Sequence, residues 1–184
     1  MNSFCEAVNK HGRGLRVTFV RHGDRIAHTV AAVDGDRFIP LLASDEGTDQ
    51  DDWPHSPPFQ ELSVEHRDGG NGVALLVGMA GTSHWSLSVE TNAEHRQLAF
   101  DVACRVKEPP SKLGSAYRAM VKPLLSDGVV SMQDLATVVV DNAADFATHT
   151  LHASEGGFII EVDGSEAACP STIRWRYTIV RCES

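Results

Sequence analysis

The sequence predicts an all-β protein, folded as an antiparallel β-sandwich or a flattened barrel. Segments in which apolar and polar residues alternate recur along the chain, and turn-forming pairs such as Asp34-Gly35 and Asp163-Gly164 separate them. No segment carries a sustained apolar stripe at helical spacing. Short strands separated by turns at such intervals are typical of sandwiches and barrels.

The first third of the chain predicts a three-stranded meander. Residues 15–20 alternate like a strand, and the turn at 22–24 leads into a second apolar segment at 26–33. Asp34-Gly35 is a strong hairpin signal that leads into a third segment at 38–42. We expect these three segments to pair in chain order.

Three further strands are predicted in the middle of the chain. Residues 73–79 are apolar on both parities, which predicts a strand at the centre of a sheet that is covered on both faces. Residues 84–90 alternate, with His84 on the polar face and Trp85 on the apolar face. Residues 98–106 repeat the pattern, so each of these two strands should have one face toward solvent.

The remaining chain continues the series of strands, with one exception. Further strands are predicted at 59–66, 138–140, 146–152, 158–162 and 173–180. The spacing of apolar residues at 113–125 predicts at most one short helix, which Pro123 would interrupt in its last turn. The 184 residues are expected to form a single domain over residues 1–184, and 107–112 is the best boundary if two substructures exist.

Composition limits the partners that we expect. A net charge of -9 argues against nucleic acid and against anionic membranes as partners, because both bind basic surfaces. No apolar run is long enough to span a bilayer, and the first residues lack the pattern of a secretory signal. The four cysteines form no Cys-x-x-Cys pair, which suits reduced thiols in a cytoplasmic protein.

A cluster of carboxylates is the first candidate site. Five of them fall within eight residues, and no basic residue lies among them. They are Asp45, Glu46, Asp49, Asp51 and Asp52. Calcium binds several oxygen ligands from a flexible loop, so we hypothesise a calcium site here. The spacing is not that of an EF-hand, and the alternative is a solvated acidic loop that keeps the protein soluble.

An aromatic residue follows the acidic cluster directly. Trp53 and His55 lie in a proline-framed segment, Trp53-Pro54-His55-Ser56-Pro57-Pro58. A tryptophan on a loop beside polar groups is the kind of surface that stacks on a sugar or a partner peptide. The alternative is that Trp53 folds back as a lid over an open end of the core.

Polar residues on the solvent-facing side of the predicted sheet form the second candidate site. If His84 and Asp101 faced each other on adjacent strands, the aspartate would fix the imidazole tautomer for general-base work. The sequence has no Gly-x-Ser-x-Gly elbow or other recognised nucleophile motif. The alternative is that His84 is a polar residue of the sheet without a catalytic role.

From these patterns we expect a non-catalytic module that binds a small molecule, a glycan or a protein through the loop 45–58. One alternative is a hydrolase-type enzyme with its site around His84 and Asp101. Another is a structural subunit that assembles through an exposed sheet edge or face. The sequence therefore predicts the architecture more closely than the activity.

Overall fold

The computed structural model describes residues 3–48, 50–165 and 167–183. Within these ranges the chain forms fifteen strands, one 3-10 turn (Asp68–Gly70) and no α-helix. The first eight strands are β1 (Ser3–Val8), β2 (Arg13–His22), β3 (Arg25–Asp34), β4 (Arg37–Ser44), β5 (Glu61–His66), β6 (Gly72–Ala80), β7 (Ser83–Asn92) and β8 (Gln97–Val106). The others are β9 (Gly114–Ala119), β10 (Leu124–Ser126), β11 (Val129–Met132), β12 (Ala136–Val140), β13 (His149–Ser154), β14 (Gly157–Val162) and β15 (Ser171–Arg181).

The strands form two antiparallel sheets that pack face to face. One sheet has seven strands in the order β1-β2-β3-β4-β9-β14-β13, and the other has eight in the order β10-β11-β12-β15-β8-β7-β6-β5. The chain crosses from the second sheet to the first through residues 107–112, the segment that the sequence marks as a connector. The all-β sandwich prediction is confirmed, and the sheets do not close into a barrel.

Alternation explains why most of these segments are strands. In β7 the side chains of Trp85, Leu87 and Val89 are buried between the sheets, while His84 and Ser86 face outward and are exposed. Covering a large apolar side chain contributes roughly 1.5–3 kcal/mol, so the register that turns this set inward is strongly preferred. The predicted meander of β2, β3 and β4 is also confirmed.

Three tryptophans extend across the core from the loop after β4. Trp53 packs edge-on against Trp85, and Trp85 packs edge-on against Trp175, with ring centroids 6.3 Å apart in both pairs. The indole of Trp175 donates a hydrogen bond to Ser115 Oγ at 3.1 Å. Because Trp175 lies in the eight-stranded sheet and Ser115 in the seven-stranded sheet, this contact joins the two layers.

The prediction that residues 73–79 lie at the centre of a sheet and are covered on both faces was wrong. These residues form β6, which is the second strand from the edge. Leu75, Val77 and Met79 are 52 %, 48 % and 49 % exposed on the outer face. An apolar run predicts that a strand has two apolar faces, but it does not reveal whether another layer covers them.

The short helix expected at 113–125 is also not formed. Residues 114–119 form β9, which pairs with β4 on one side and β14 on the other. These ladders satisfy the backbone of β9 on both edges, so sheet pairing overrides a weak helical periodicity. The chain then forms the short strand β10, directly after Pro123.

Candidate functional site

A groove on the outer face of the eight-stranded sheet is the candidate ligand site. Its volume is about 510 Å³, and it lies across β6, β7 and β8 at the end where β6 turns into β7. Small-molecule sites in proteins usually measure about 300–1,000 Å³. The groove therefore has the size of a ligand site.

The sizes of cross-strand neighbours create the groove. In one row Val77 pairs with Ser86, and Ser86 pairs with Ala103, so small side chains form a floor beside a branched one. In the next row Met79 pairs with His84, and His84 pairs with Arg105. Residues paired across adjacent strands point to the same face, so the small side chains of Ser86 and Ala103 leave a depression beside the longer side chains of the next row.

The chain after the acidic loop closes one side of the groove. The side-chain oxygen of Gln60 accepts a hydrogen bond from Met79 N at 2.7 Å, and its amide nitrogen donates one to Met79 O at 3.0 Å. Gln60 N also donates to Val77 O at 2.9 Å. Gly78 permits this approach, because a Cβ there would lie 1.9 Å from Pro58 O. The wall is therefore fixed by backbone contacts.

One side of the groove is apolar and the other is cationic. Val77 and Met79 are about half exposed along the apolar side. Arg105 and His84 lie next to each other on the opposite side, and within the described residues neither makes an ion pair. An exposed guanidinium beside apolar surface provides charge for a bound partner.

The register does not bring His84 and Asp101 together. His84 pairs with Arg105, whereas Asp101 pairs with Ser88, four positions further along each strand. Four residues of strand correspond to about 13 Å. Asp101 accepts a hydrogen bond from Arg174 at 2.8 Å, as part of an ion pair. The arrangement on which the catalytic hypothesis depended is therefore not formed.

The carboxylates of the acidic loop point in different directions. Glu46 is buried between the sheets and hydrogen bonds with Ser44 Oγ. Asp51 is half-buried and accepts hydrogen bonds from Thr48 N at 3.0 Å and Thr48 Oγ1 at 2.9 Å. These bonds hold the pKa of Asp51 below its usual value. Asp45 is exposed at the start of the loop.

A cation from β3 binds the backbone of the acidic loop. The guanidinium of Arg25, which is 4 % exposed, donates hydrogen bonds to the backbone oxygens of Glu46 and Thr48. Asp52 lies against Gly81 in the turn between β6 and β7, where an added Cβ would be 3.1 Å from its carboxylate. Asp49 lies outside the described residues. Among the residues that are described, no three acidic, histidine or cysteine side chains converge as metal ligands.

Trp53 and His55 lie outside the groove. Trp53 is partly buried and packs on the core, the geometry of a lid. His55 is exposed and lines a separate surface cavity of about 300 Å³ with Asp45 and Arg118. The two residues therefore do not form one shared binding surface in this structure.

A buried polar cluster lies between the sheets. His28 Nε2 is 2.8 Å from Tyr117 Oη, and Tyr117 Oη is 2.5 Å from Tyr177 Oη. Burial lowers the pKa of His28 to about 4 and raises the pKa of Glu46 to about 7. Both side chains are therefore uncharged in the mildly acidic range. The enclosed space beside them measures about 10 Å³, about the size of one water molecule.

Sequence reasoning did not single out Gln60, Met79 or Arg105. Arg105 and His84 both fall on the outward parity of their strands, and that alternation was visible. Which residues meet across strands depends on register. No protein-family model, curated protein or solved structure matches the chain. Among the described residues, no helix is long and apolar enough to cross a membrane.

Proposed function

We propose that this protein is a non-catalytic binding module that holds a small ligand in the groove across β6, β7 and β8. The observation that carries the proposal is the groove itself, which combines a volume of about 510 Å³ with apolar and polar walls. Sites for small molecules are mostly apolar concavities with a few polar groups that orient the ligand.

The groove is built on regular strands, which favours binding without rearrangement. Its floor residues Ser86 and Ala103 lie in paired strands, and Gln60 fixes its wall through hydrogen bonds. A preformed site avoids the entropy cost of ordering loops when the ligand arrives. The ligand would cover Val77 and Met79, and each Å² of apolar surface removed from water contributes about 25 cal/mol.

The loop 45–58 has a supporting part in this proposal. Asp52 packs against the turn at Gly81, and Trp53 packs on Trp85, the neighbour of His84 in β7. The loop thereby holds the end of the β6–β7 hairpin that borders the groove. Binding is assigned to the sheet face, and the loop stabilises that face.

The hydrolase alternative has less support. Among the described residues, the groove contains His84 but Asp101 is paired elsewhere, with Arg174. A general base needs an orienting partner and a nucleophile or water within hydrogen-bond reach. Arg105, the cross-strand neighbour of His84, is a cation and cannot act as that orienting acceptor.

Matched substitutions on one strand test the proposal. Ser86→Phe places a ring on the groove floor, whereas Ser88→Phe places the same ring one outward position further along β7, beyond the groove. We expect ligand-observed NMR with a chemically diverse set of small molecules to detect binders of the unmodified protein. Ser86→Phe should abolish their signals, and Ser88→Phe should preserve them. Equal signals in both variants, with both folded, would refute a groove site.

Assembly is a second candidate function, favoured by one observation. Leu75, Val77 and Met79 form a row of half-exposed apolar side chains on β6, near the edge of the sheet. Such a row is typical of a contact surface. Leu75 lies outside the groove lining, so Leu75→Asp should reduce any concentration-dependent mass in sedimentation and leave small-molecule binding intact. A constant monomer mass at all concentrations would exclude self-assembly.

A further inference from the structure

The charges around the groove restrict the chemistry of its ligand. Arg105 is exposed on the groove wall, and no carboxylate within the described part of the chain lies within ion-pair distance of it. Arg174, which also faces outward in this region, is already paired with Asp101. Among the described residues, Arg105 is therefore a cation that lines the groove without an ion-pair partner and is available to a bound anion.

The neighbours of Arg105 add hydrogen-bond donors. His84 pairs with it on β7, and Thr172 pairs with it on β15, and both line the groove. A guanidinium binds a carboxylate through two parallel N–H···O bonds, and an adjacent hydroxyl or imidazole can donate a further one. These three side chains lie in a single row, and the two donors flank Arg105 on its neighbouring strands.

The opposite side of the groove favours an aliphatic body over a sugar or an aromatic ring. Val77 and Met79 provide its exposed apolar surface. Trp85 also borders the groove, but its side chain is 2 % exposed and faces the core. Sugars stack on exposed tryptophan, tyrosine or phenylalanine rings, and the described groove lining offers no exposed ring of these three types. Methionine and valine instead cover flexible hydrocarbon chains well.

The whole-protein charge argues for a single negative charge on the ligand. The chain carries a net charge of -9, and Glu61 lies on the far side of the groove. Strands are about 4.8 Å apart, so β5 and β8 are separated by about 14 Å. A polyanion would meet repulsion from Glu61 and the overall field, whereas one carboxylate at Arg105 would not reach Glu61.

From these observations we infer that the groove binds an amphipathic monocarboxylate, with its carboxylate on Arg105 and its aliphatic chain over Met79 and Val77. This inference rests on the proposed binding function of the groove. The aliphatic chain of the ligand needs to extend over about 10 Å, from β8 across β7 to β6. Medium-chain fatty acids have this combination of one charge and a flexible hydrocarbon body.

A matched set of probes tests the inference. Octanoate, octanol, octylamine and acetate are titrated below their micelle-forming concentrations into the full chain, and backbone amide shifts are followed by NMR. We expect octanoate to bind most tightly and to shift the amides of the groove residues. Octanol should bind more weakly, and acetate and octylamine should not bind measurably.

Two arginine variants separate a specific contact from general charge. Arg105→Gln should weaken octanoate binding about tenfold and leave octanol binding unchanged, as expected for one charge-assisted contact. Arg176→Gln removes the same charge from the same sheet face beyond the groove, and it should leave octanoate affinity unchanged. Equal weakening by both variants would overturn the inference.

The probes also distinguish failure of the inference from failure of the proposed function. If octanol or octylamine binds in the groove as tightly as octanoate, the carboxylate inference is wrong and the binding function stands. If octanoate does not bind but other molecules from the diverse set do, and Ser86→Phe blocks them, the carboxylate inference is again wrong and the binding function again stands. If nothing in either set binds the groove, both are wrong.

Discussion

Tyr117 of β9 and Tyr177 of β15 join their hydroxyl groups at 2.5 Å across the space between the two sheets. Tyr117 Oη also bonds to His28 Nε2, so it is the central member of a buried chain of three side chains. Tyr177 stacks on Phe100 with ring centroids 4.9 Å apart. This polar link lies in the apolar core and fixes how the sheets sit on each other.

Tyr117→Phe should destabilise the protein more than Tyr177→Phe. The first change leaves His28 Nε2 and the Tyr177 hydroxyl without their shared partner, at a cost of about 2–3 kcal/mol. The second leaves the His28 contact intact and should cost about 1 kcal/mol. Urea unfolding of both variants measures the difference. Equal losses would mean that Tyr117 is not the central member.

Glu46→Gln should change how stability depends on pH. Burial raises the pKa of Glu46 to about 7. The native state then keeps a proton that the unfolded state releases near pH 4.5, so this group lowers stability as pH rises from about 4.5 to about 7. Over this pH range, Glu46 lowers the free energy of unfolding by roughly 3 kcal/mol in total. Because the glutamine does not titrate, the stability of the Glu46→Gln variant relative to the unmodified protein should increase by the same amount as pH rises from about 4.5 to about 7.

The control for this prediction is Glu108→Gln, which removes an exposed carboxylate from the connector. Its unfolding free energy should follow that of the unmodified protein at every pH. His28 acts in the opposite direction, since burial lowers its pKa to about 4 and its contribution is lost as pH falls from about 6.5 to about 4. A Glu46→Gln curve parallel to the unmodified one would contradict the buried position of Glu46.

Trp53→Ala should reduce stability and leave the groove accessible. Trp53 packs on Trp85 and is partly buried, so the loss should be about 2 kcal/mol, less than the roughly 3–5 kcal/mol typical of a fully buried tryptophan. Trp53→Phe keeps a ring and should lose less. Denaturant unfolding and ligand titration together check the prediction. Unchanged stability with lost binding would instead support the loop as a ligand platform.

Calcium at the acidic loop remains an untested prediction, and thermal unfolding addresses it. A ligand that binds only the folded state raises the unfolding midpoint. Because Glu46 faces the core and Asp51 is hydrogen bonded to Thr48, we expect no rise that is specific to calcium. Magnesium and chelator-treated protein are the controls. A saturable calcium-specific rise that Asp51→Asn removes would establish a site.

The sequence was sufficient to predict the fold class and several strands, but it did not reveal every strand. The strands at 15–20 and 26–33 and the hairpin signal at Asp34-Gly35 were visible because alternation and turn chemistry act locally. β1, β9 and the short strands β10 and β11 had no counterpart among the predicted strands. The three or four residues of β10 and β11 are too few to show the alternation of a strand, and β9 carries the weak helical periodicity described above.

The groove was harder to predict because it depends on register and on side-chain size together. The two-residue turn at Gly81-Thr82 pairs Ala80 with Ser83, and this fixes Met79 opposite His84. That step was available in the sequence. The contribution of Gln60 was not, because it depends on the path of a loop. Likewise, nothing local distinguishes the inward direction of Glu46 from the outward direction of its acidic neighbours.

In the proposed function the sheet face, and not the acidic and aromatic loop, binds the ligand. The most direct test maps backbone amide shifts when a small molecule identified by screening saturates the protein. We predict that the largest shifts fall on residues 77–79, 84–86 and 103–105, and on Gln60. Shifts centred on the loop, around Asp51 and His55, with the strands unchanged, would contradict this assignment.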